Sequence, residues 1–513
     1  MGQNAAMEPA PTLYSAAYKR TVVLLLMTAY TFNAMDRSII SIVSQSMKLD
    51  LKLSDTELGL LGGTAFAVLY ACGGIPIARL AERYNRVNII SAALVVWSTL
   101  SALCGAALGF SQLLLIRAGV GVAEAGCSPP AHSLISDYFA PSRRSSALSI
   151  YSCGISLGYL LAAVGGGYVA QHWGWRAACA MVGLPGLAIA VLIKIFIQEP
   201  PRGHSEPNHT EAGNTGRAAL PPFSLRSELF ELRSVARALV ADRPVLHMLL
   251  GVNIGAFAAY GFYAFVPPFF SRIFDLDYAT IGILAGLAGG VAVGIGIVAG
   301  GFVADALASR DLRWYALVPA LGGLIAAPLY LLAALQPDWR WATVLLAIAG
   351  LFQYASLGPT FGVVQNVVGR RRRATATALL YISLNVFALG GGPVFTGWTI
   401  DRFAEADFHS QDMGPAAGME AGSTFSTRCP GGTAPAAAGT ATRSRCHSIL
   451  AHATRRGILV TLLFFAWAAI HYLLASAGIA KSLKAAALRN AAAQERVLSA
   501  AAGLASSVQS DSI

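Results

Sequence analysis

Four ionisable side chains lie inside otherwise apolar stretches: Asp36 and Arg37 side by side, and Arg117 with Glu124 further along. The last two are seven residues apart, about two turns of an α-helix, and so share one face. One such charge at the centre of a membrane helix costs on the order of 2.5–3.5 kcal/mol. Four isolated charges would be prohibitive, so they are expected to pair or to face water. One arrangement is a static ion pair between the first and fourth helices. The other is proton chemistry: burial favours the neutral acid, a nearby arginine favours the carboxylate, and proton gain or loss biases two conformations. Buried ion pairs are weak stabilisers and intramembrane charges usually mark pathways, which favours proton chemistry. Asp36 and Glu124 are the candidate proton-binding groups, with Arg37 and Arg117 as their partners or as contacts to a substrate.

The elements that must position these charges follow from composition. Of 513 residues, 55% are hydrophobic and only 12% charged, and mean hydropathy is +0.57. Soluble domains carry roughly 25% charged residues, so lipid is expected to be the main solvent. A helix crossing the hydrocarbon needs about 20 mainly apolar residues. That ruler gives twelve spans near 20–46, 56–79, 87–109, 111–138, 145–170, 175–197, 244–270, 278–304, 314–335, 341–368, 374–400 and 456–477. The expected fold class is all-α transmembrane, twelve helices in two six-helix bundles related by a parallel repeat. Its parts are a cytoplasmic segment 1–18, an N-terminal bundle 19–198, a polar linker 199–243, a C-terminal bundle 244–477 and a cytoplasmic tail 478–513. A long loop at 401–455, rich in Ala, Gly, Thr and Ser, is expected to be only partly ordered.

The net charge of +11 is carried beside apolar runs, at Arg79, Arg83, Arg86, Arg143, Arg144 and Arg370 to Arg373. No soluble domain exists to present a basic face, which excludes a nucleic-acid partner. With the N-terminus cytoplasmic these residues all lie inside, whereas the opposite loops hold little beyond Lys48, Lys52, Arg176, Arg272 and Arg340. The positive-inside rule then places both termini in the cytoplasm. Five of the seven cysteines sit in apolar runs as small hydrophobes, and no metal-ligand spacing occurs. Cys429 and Cys446 share the long loop. They form a disulfide if it faces an oxidising space, and two unpaired thiols are the alternative.

The halves echo one another. Ala78-Arg-Leu-Ala-Glu82-Arg83-Tyr-Asn85-Arg86 follows the second span, and Gly301-Phe-Val-Ala-Asp305-Ala-Leu-Ala-Ser-Arg310 follows the eighth. Parallel repeats place a substrate path between the halves. The acid and base at each helix end suit a cytoplasmic latch made in one conformation only, or are topology charges alone. Gly282, Gly286, Gly290 and Gly294 recur every four residues and are expected to line one packing face of the eighth helix. The C-terminal half has no mid-span carboxylate or arginine. It offers Asn253, Tyr260, Tyr263, Gln353, Tyr354 and Asn385 as neutral cavity contacts, with Tyr151 from the first half. Gly154-Ile-Ser156-Leu-Gly158 matches a nucleophile-elbow pattern but lies in an apolar helix without the strand-to-helix context, so it is read as packing. No Walker A sequence is present, and no cofactor other than the coupling proton is expected.

Asn33-Ala-Met-Asp36-Arg37 resembles the N-x-x-D-R signature of spinster-like members of the major facilitator superfamily. Ala78 to Arg86 resembles the superfamily loop motif, from which Ala78, Glu82 and Asn85 depart. Arg117-Ala-Gly-Val-Gly121-Val-Ala-Glu124 is similar to the family's fourth-helix run, and Glu199-Pro-Pro-Arg-Gly203 to its sixth-helix ending. The resemblance implies proton-linked transport of lysophospholipids or sphingoid phosphates. It makes Asp36 and Glu124 proton-responsive, Arg37 and Arg117 their partners or headgroup contacts, and Glu82, Arg83, Arg86 and Asp137 a cytoplasmic gate, echoed by Asp305 and Arg310. The expectation is therefore a monomeric, proton-coupled carrier of an amphiphilic anion in a bacterial inner membrane, surrounded by lipid. An organic-anion or sugar-acid symporter is the alternative of the same fold, and a non-transporting membrane receptor or scaffold the alternative of another class.

Overall fold

The structure, a computed structural model, describes residues 14–202, 225–368, 372–410, 424–435, 438–490 and 492; among these the side chains of 75, 78, 82, 141, 142, 145, 225–229 and 374 are not described. In chain order the helices are α1 (Ala16–Leu51), α2 (Asp55–Gly59), α3 (Ala65–Arg83), α4 (Arg86–Cys104), α5 (Phe110–Glu124), α6 (Ser128–Tyr138), α7 (Pro141–Phe196) and α8 (Leu225–Ala241). There follow α9 (Arg243–Phe274), α10 (Tyr278–Ala285), α11 (Val293–Ala308), α12 (Trp314–Leu335), α13 (Trp339–Gln353), α14 (Leu357–Val367), α15 (Arg373–Ser383), α16 (Gly390–Ser410), α17 (Phe425–Arg428) and α18 (Thr440–Ser476). Wide π turns at Leu60–Thr64, Gly286–Ala292 and Leu384–Leu389 join α2 to α3, α10 to α11 and α15 to α16.

Among the described residues, nine helical stretches are long and apolar enough to cross a membrane. The longest, within α7, folds back at Gly174 (φ 83, ψ 168) and supplies two passes. With α1 and the α5–α6 pair the described residues make twelve. No strand occurs among the described residues. The passes pack into two compact units, one within Met1–Ile39 and Leu69–Leu220, the other within Ile40–Val68 and Pro221–Ile513.

Local chemistry sets the helix starts. Ser54 and Glu57 form a reciprocal capping box on α2, with Glu57 N donating to Ser54 Oγ at 3.1 Å and Ser54 N to Glu57 Oε2 at 2.8 Å. Asn85 caps α4, and Asp242 caps α9 ahead of Pro244. Asp277 caps α10 by accepting from Thr280 N at 2.9 Å and Thr280 Oγ1 at 2.7 Å. Those bonds hold its carboxyl below the usual carboxylate range. The cap therefore contributes at neutral pH and is lost as pH falls through that lowered pKa. Asp277→Ala is expected to lower stability by about 1 kcal/mol, read as a drop in thermal midpoint at pH 7 that narrows in acid.

Three sequence expectations change. The 401–455 stretch is largely helical where described: α16 runs on to Ser410 and α18 begins at Thr440. Arg456 Nη1 to Asp407 Oδ1 at 2.5 Å and Phe425 N to Glu405 Oε2 at 2.9 Å supply the contacts its composition did not disclose. The 199–243 linker contains α8, whose Val235 and Leu239 are buried in the core of the second unit. Lys48 and Arg272 are buried rather than loop charges, each about 2% exposed.

Candidate transport site

The four mid-span charges meet in the first unit, crosswise. Arg37 Nε donates to Glu124 Oε2 at 2.7 Å, and Arg117 Nη1 to Asp36 Oδ2 at 2.8 Å. Asp36 and Arg37, neighbours on α1, therefore each reach a different residue of α5, two turns apart. The two pairs differ in access. Arg117 and Asp36 are 1% and 2% exposed at the side chain, a closed pair. Glu124 is fully buried, but 30% of the Arg37 side chain is open, and its guanidinium lies 4.6 Å from the Tyr70 ring centroid. Glu124 Oε1 has no donor facing it.

Neighbouring packing is aromatic. Tyr151 is wholly buried, stacks on Tyr30 with centroids 4.5 Å apart, and its hydroxyl lies 3.4 Å from Ser128 Oγ. The Gly154-Ile-Ser-Leu-Gly158 run serves close approach: a methyl group at Gly154 would stand 2.8 Å from the Met27 carbonyl oxygen of α1, and one at Gly158 2.7 Å from Ala34 Cβ. Ser156 lies on the exposed face of α7. Asn33, one turn before Arg37, is 1% exposed with neither amide atom hydrogen-bonded.

Of the loop-motif residues, Arg86 is the hub. It is fully buried, and donates from Nε to Glu199 Oε1 at 2.6 Å, and from Nη1 to Asp137 Oδ2 at 2.5 Å and Ser133 Oγ at 2.7 Å. Glu199 also accepts from the backbone N–H of Arg86 and Val87, so it caps α4 while neutralising its first residue. A lysine has no planar fork to serve both acids. Arg83 is exposed at the end of α3, and the Glu82 side chain lies outside the described residues. The repeat is chemically unequal: Asp305 accepts from Tyr315 Oη at 2.9 Å, and Arg310 is exposed in the turn after α11.

In the second unit Asn253 and Asn385 donate to carbonyls of their own helices, at Leu249 and Tyr381. Tyr263 and Tyr330 hydroxyls lie 3.2 Å apart, and Gln353 Oε1 is buried without a partner. Tyr260 is 40% exposed, and the Tyr354 ring lies 6.2 Å from that of Tyr263. A groove of about 560 Å³ opens beside Thr56, Thr64, Phe257, Phe395, Val394 and Trp398. Its two hydroxyls are turned into the protein: Thr64 Oγ1 donates to Gly390 O at 2.6 Å and Thr56 Oγ1 to Asp401 Oδ2 at 2.6 Å. Apart from the indole N–H of Trp398, what remains on its wall is aromatic and aliphatic.

Sequence reasoning missed the charges at the ends of the spans. Arg272 grips Asp55 through two nitrogens, at 2.6 and 3.1 Å, and Lys48 Nζ reaches the same carboxylate at 3.0 Å. Asp401 accepts from the backbone N–H of Asp55 and Thr56. The available signal was Ser54-Asp-Thr-Glu57, a capping box placed directly at the start of a span. Cys429 and Cys446 are joined in a disulfide.

The model of the Major Facilitator Superfamily matches residues 26–393. The chain belongs to this superfamily. It is 30% identical over 389 residues to an MFS-type efflux pump of Mycolicibacterium smegmatis, covering 75% of this chain and 85% of that protein. It is 25% identical over 389 residues to the hexuronate transporter of Bacillus subtilis, covering 75% and 88%. In structure it is similar to a bacterial homologue of the human lysosomal transporter spinster in an inward-facing, unoccupied conformation, with TM-score 0.76, 31% identity, and 91% of this chain and 99% of that one covered. The chain is thus a spinster-like transporter of the superfamily rather than an enzyme, as its N-x-x-D-R and fourth-helix motifs imply.

Proposed function

We propose that the protein couples proton movement to transport of an anionic amphiphile of the lysophospholipid or sphingoid-phosphate class. The observation that carries this is the difference in access between the partners of one pair, Glu124 fully buried and Arg37 30% open. As long as Glu124 is ionised it occupies the Arg37 Nε–H. A proton on Glu124 cancels its charge and weakens its hold on Arg37, which, still charged, can turn toward a phosphate or carboxylate headgroup. Proton and headgroup then bind together. The Arg117–Asp36 pair, closed from solvent, holds the framework between α1 and α5. The inner hub at Arg86, with Asp137 and Glu199, serves as the cytoplasmic gate element, and both termini face the cytoplasm of a bacterial inner membrane.

Within the second unit, the groove along Phe257, Phe395 and Trp398 suits an acyl chain, because its threonine hydroxyls are already spent and its wall is otherwise mostly aromatic and aliphatic. Trp398→Ala is expected to weaken binding of a long-chain lysophospholipid about tenfold, the effect of roughly 1.4 kcal/mol, and to leave a short-chain analogue with the same head unchanged. The check is radioligand displacement across a chain-length series. Equal loss for both chain lengths removes the groove from the substrate path. The similarity to a hexuronate transporter supports the second reading, a small organic acid as substrate. Under it Arg37 still binds the anion, and affinity is independent of chain length.

A further inference from the structure

Two amphipathic helices cover one end of the second unit. Asp242 alone separates α8 from α9, whose Arg243–Phe274 is long and apolar enough to cross the membrane. The helical stretch 479–490 follows closely on α18, which ends at Ser476. The start of α9 and the end of α18 meet there: Ser482 Oγ donates to Asp242 Oδ1 at 2.7 Å, and a methyl group at Gly478 would stand 2.5 Å from Pro244 Cγ. Both helices therefore start from the edge of the hydrocarbon, on one side of the membrane.

Their inner faces are already used. Val235 and Leu239 of α8 and Ile479 and Leu483 of the tail stretch are buried in one core cluster with Val245 and Met248. That burial fixes the rotation of each helix. In α8 it turns outward Phe230, Arg233 and Arg237, which share a face at spacings of three and four. In the tail stretch it turns outward Lys481, Lys484 and Leu488, with the same spacing. Phe230 is 74% exposed and Leu488 73%. The four cations are exposed as well and make no ion pair among the described residues. Glu231 is also exposed, about 100° round α8 from Phe230. A large apolar side chain flanked by cations on the outer face suits a helix lying in the headgroup layer, apolar tip inward and charge toward phosphate.

We propose that the outer faces of α8 and of 479–490 form a joint docking surface for anionic phospholipids of the surrounding bilayer. Phe230 and Leu488 enter the acyl boundary, and Arg233, Arg237, Lys481 and Lys484 bind the headgroup phosphates. Charge complementarity selects this occupant. Basic residues beside a span are drawn to an anionic leaflet, and the same charge opposes pairing with a second copy of the surface. The assignment is independent of the substrate carried and of proton coupling.

Hydrogen exchange of the full-length protein in nanodiscs tests it. Discs of phosphatidylcholine alone are compared with discs containing about 30% phosphatidylglycerol, an anionic surface. Exchange is read relative to the exposed turn 309–313 at the same end of this unit, which corrects for any general effect of surface charge. Peptides covering 230–241 and 479–490 are expected to exchange roughly tenfold more slowly in the anionic discs, as docking suppresses local opening. Salt at about 0.5 M should abolish the difference by screening the headgroups. The combined variant Arg233→Gln, Arg237→Gln, Lys481→Gln and Lys484→Gln, with a size-exclusion profile matching the unaltered protein, should exchange alike in both discs. Soluble glycerol phosphate added to the neutral discs should change neither peptide. Equal exchange of the unaltered protein in the two discs overturns the proposal. So does slowing that survives salt, slowing that persists in the folded variant, or slowing by glycerol phosphate alone.

Discussion

Replacing Arg117 by leucine is expected to lower stability by about 3–5 kcal/mol, because it leaves the Asp36 carboxylate buried and unpaired. The companion variant Asp36→Asn, which removes the acid facing the buried Arg117 guanidinium, should cost a similar amount. Removing both charges together is expected to recover most of the loss, since replacing a whole buried pair by neutral groups is often close to neutral. The measurement is a double-mutant cycle on the thermal midpoint in one detergent, with scanning rate held fixed. A coupling near zero would mean that the 2.8 Å bond is not maintained in the protein in solution. Transport should be lost in the double variant even where stability returns, because the acid beside Arg37 on α1 has gone. Stability and function therefore separate at this pair.

Glu124→Gln has a different signature. The amide keeps the volume and can still accept from Arg37 Nε, so folding should change by about 1 kcal/mol or less. The position can no longer gain or lose a proton. Headgroup affinity, expected to rise about tenfold per pH unit as the medium is acidified through the titration of this site in the unaltered protein, should become flat with pH. A gradient of protons should then drive no accumulation, while exchange of substrate down its own gradient continues. Arg37→Ala is the complementary loss: pH response of the acid remains but the anionic head finds no partner, and binding falls at every pH. If Glu124→Gln still shows the slope of the unaltered protein, the proton resides elsewhere.

Hydropathy made the twelve passes and the all-helical class legible, because about 20 apolar residues in a row have few other uses. The four central charges were legible for the converse reason: each interrupts such a run at mid-depth. Their crosswise pairing was not, since it depends on the rotation of α1 against α5, which neither pattern fixes. The Lys48–Asp55–Arg272 cluster was hidden by position. Lys48 and Arg272 stand at span ends, where charge normally serves orientation, and Arg272 meets Asp55 across a separation of 217 residues. Composition misled at 401–455, where Ala, Gly, Thr and Ser read as a loose loop but α16 and α18 extend into it, held by Arg456–Asp407 and the disulfide. The glycine row at 282, 286, 290 and 294 was drawn on a regular α-helix. The π turn at Gly286–Ala292 changes the register, and the buried seam passes through Gly282, Gly286 and Gly290 and then through Gly296 and Gly300.

Coupling at Glu124 is tested by recording proton movement and lipid movement in the same vesicles. Purified protein is reconstituted with a pH-sensitive dye enclosed, and a lysophospholipid is added outside at several external pH values. Proton flux is expected to start with the substrate, to grow as the outside is acidified, and to be absent in Glu124→Gln although that variant still exchanges substrate. A proton flux of unchanged size in Glu124→Gln, or lysophospholipid transport with no proton flux in the unaltered protein, would contradict it.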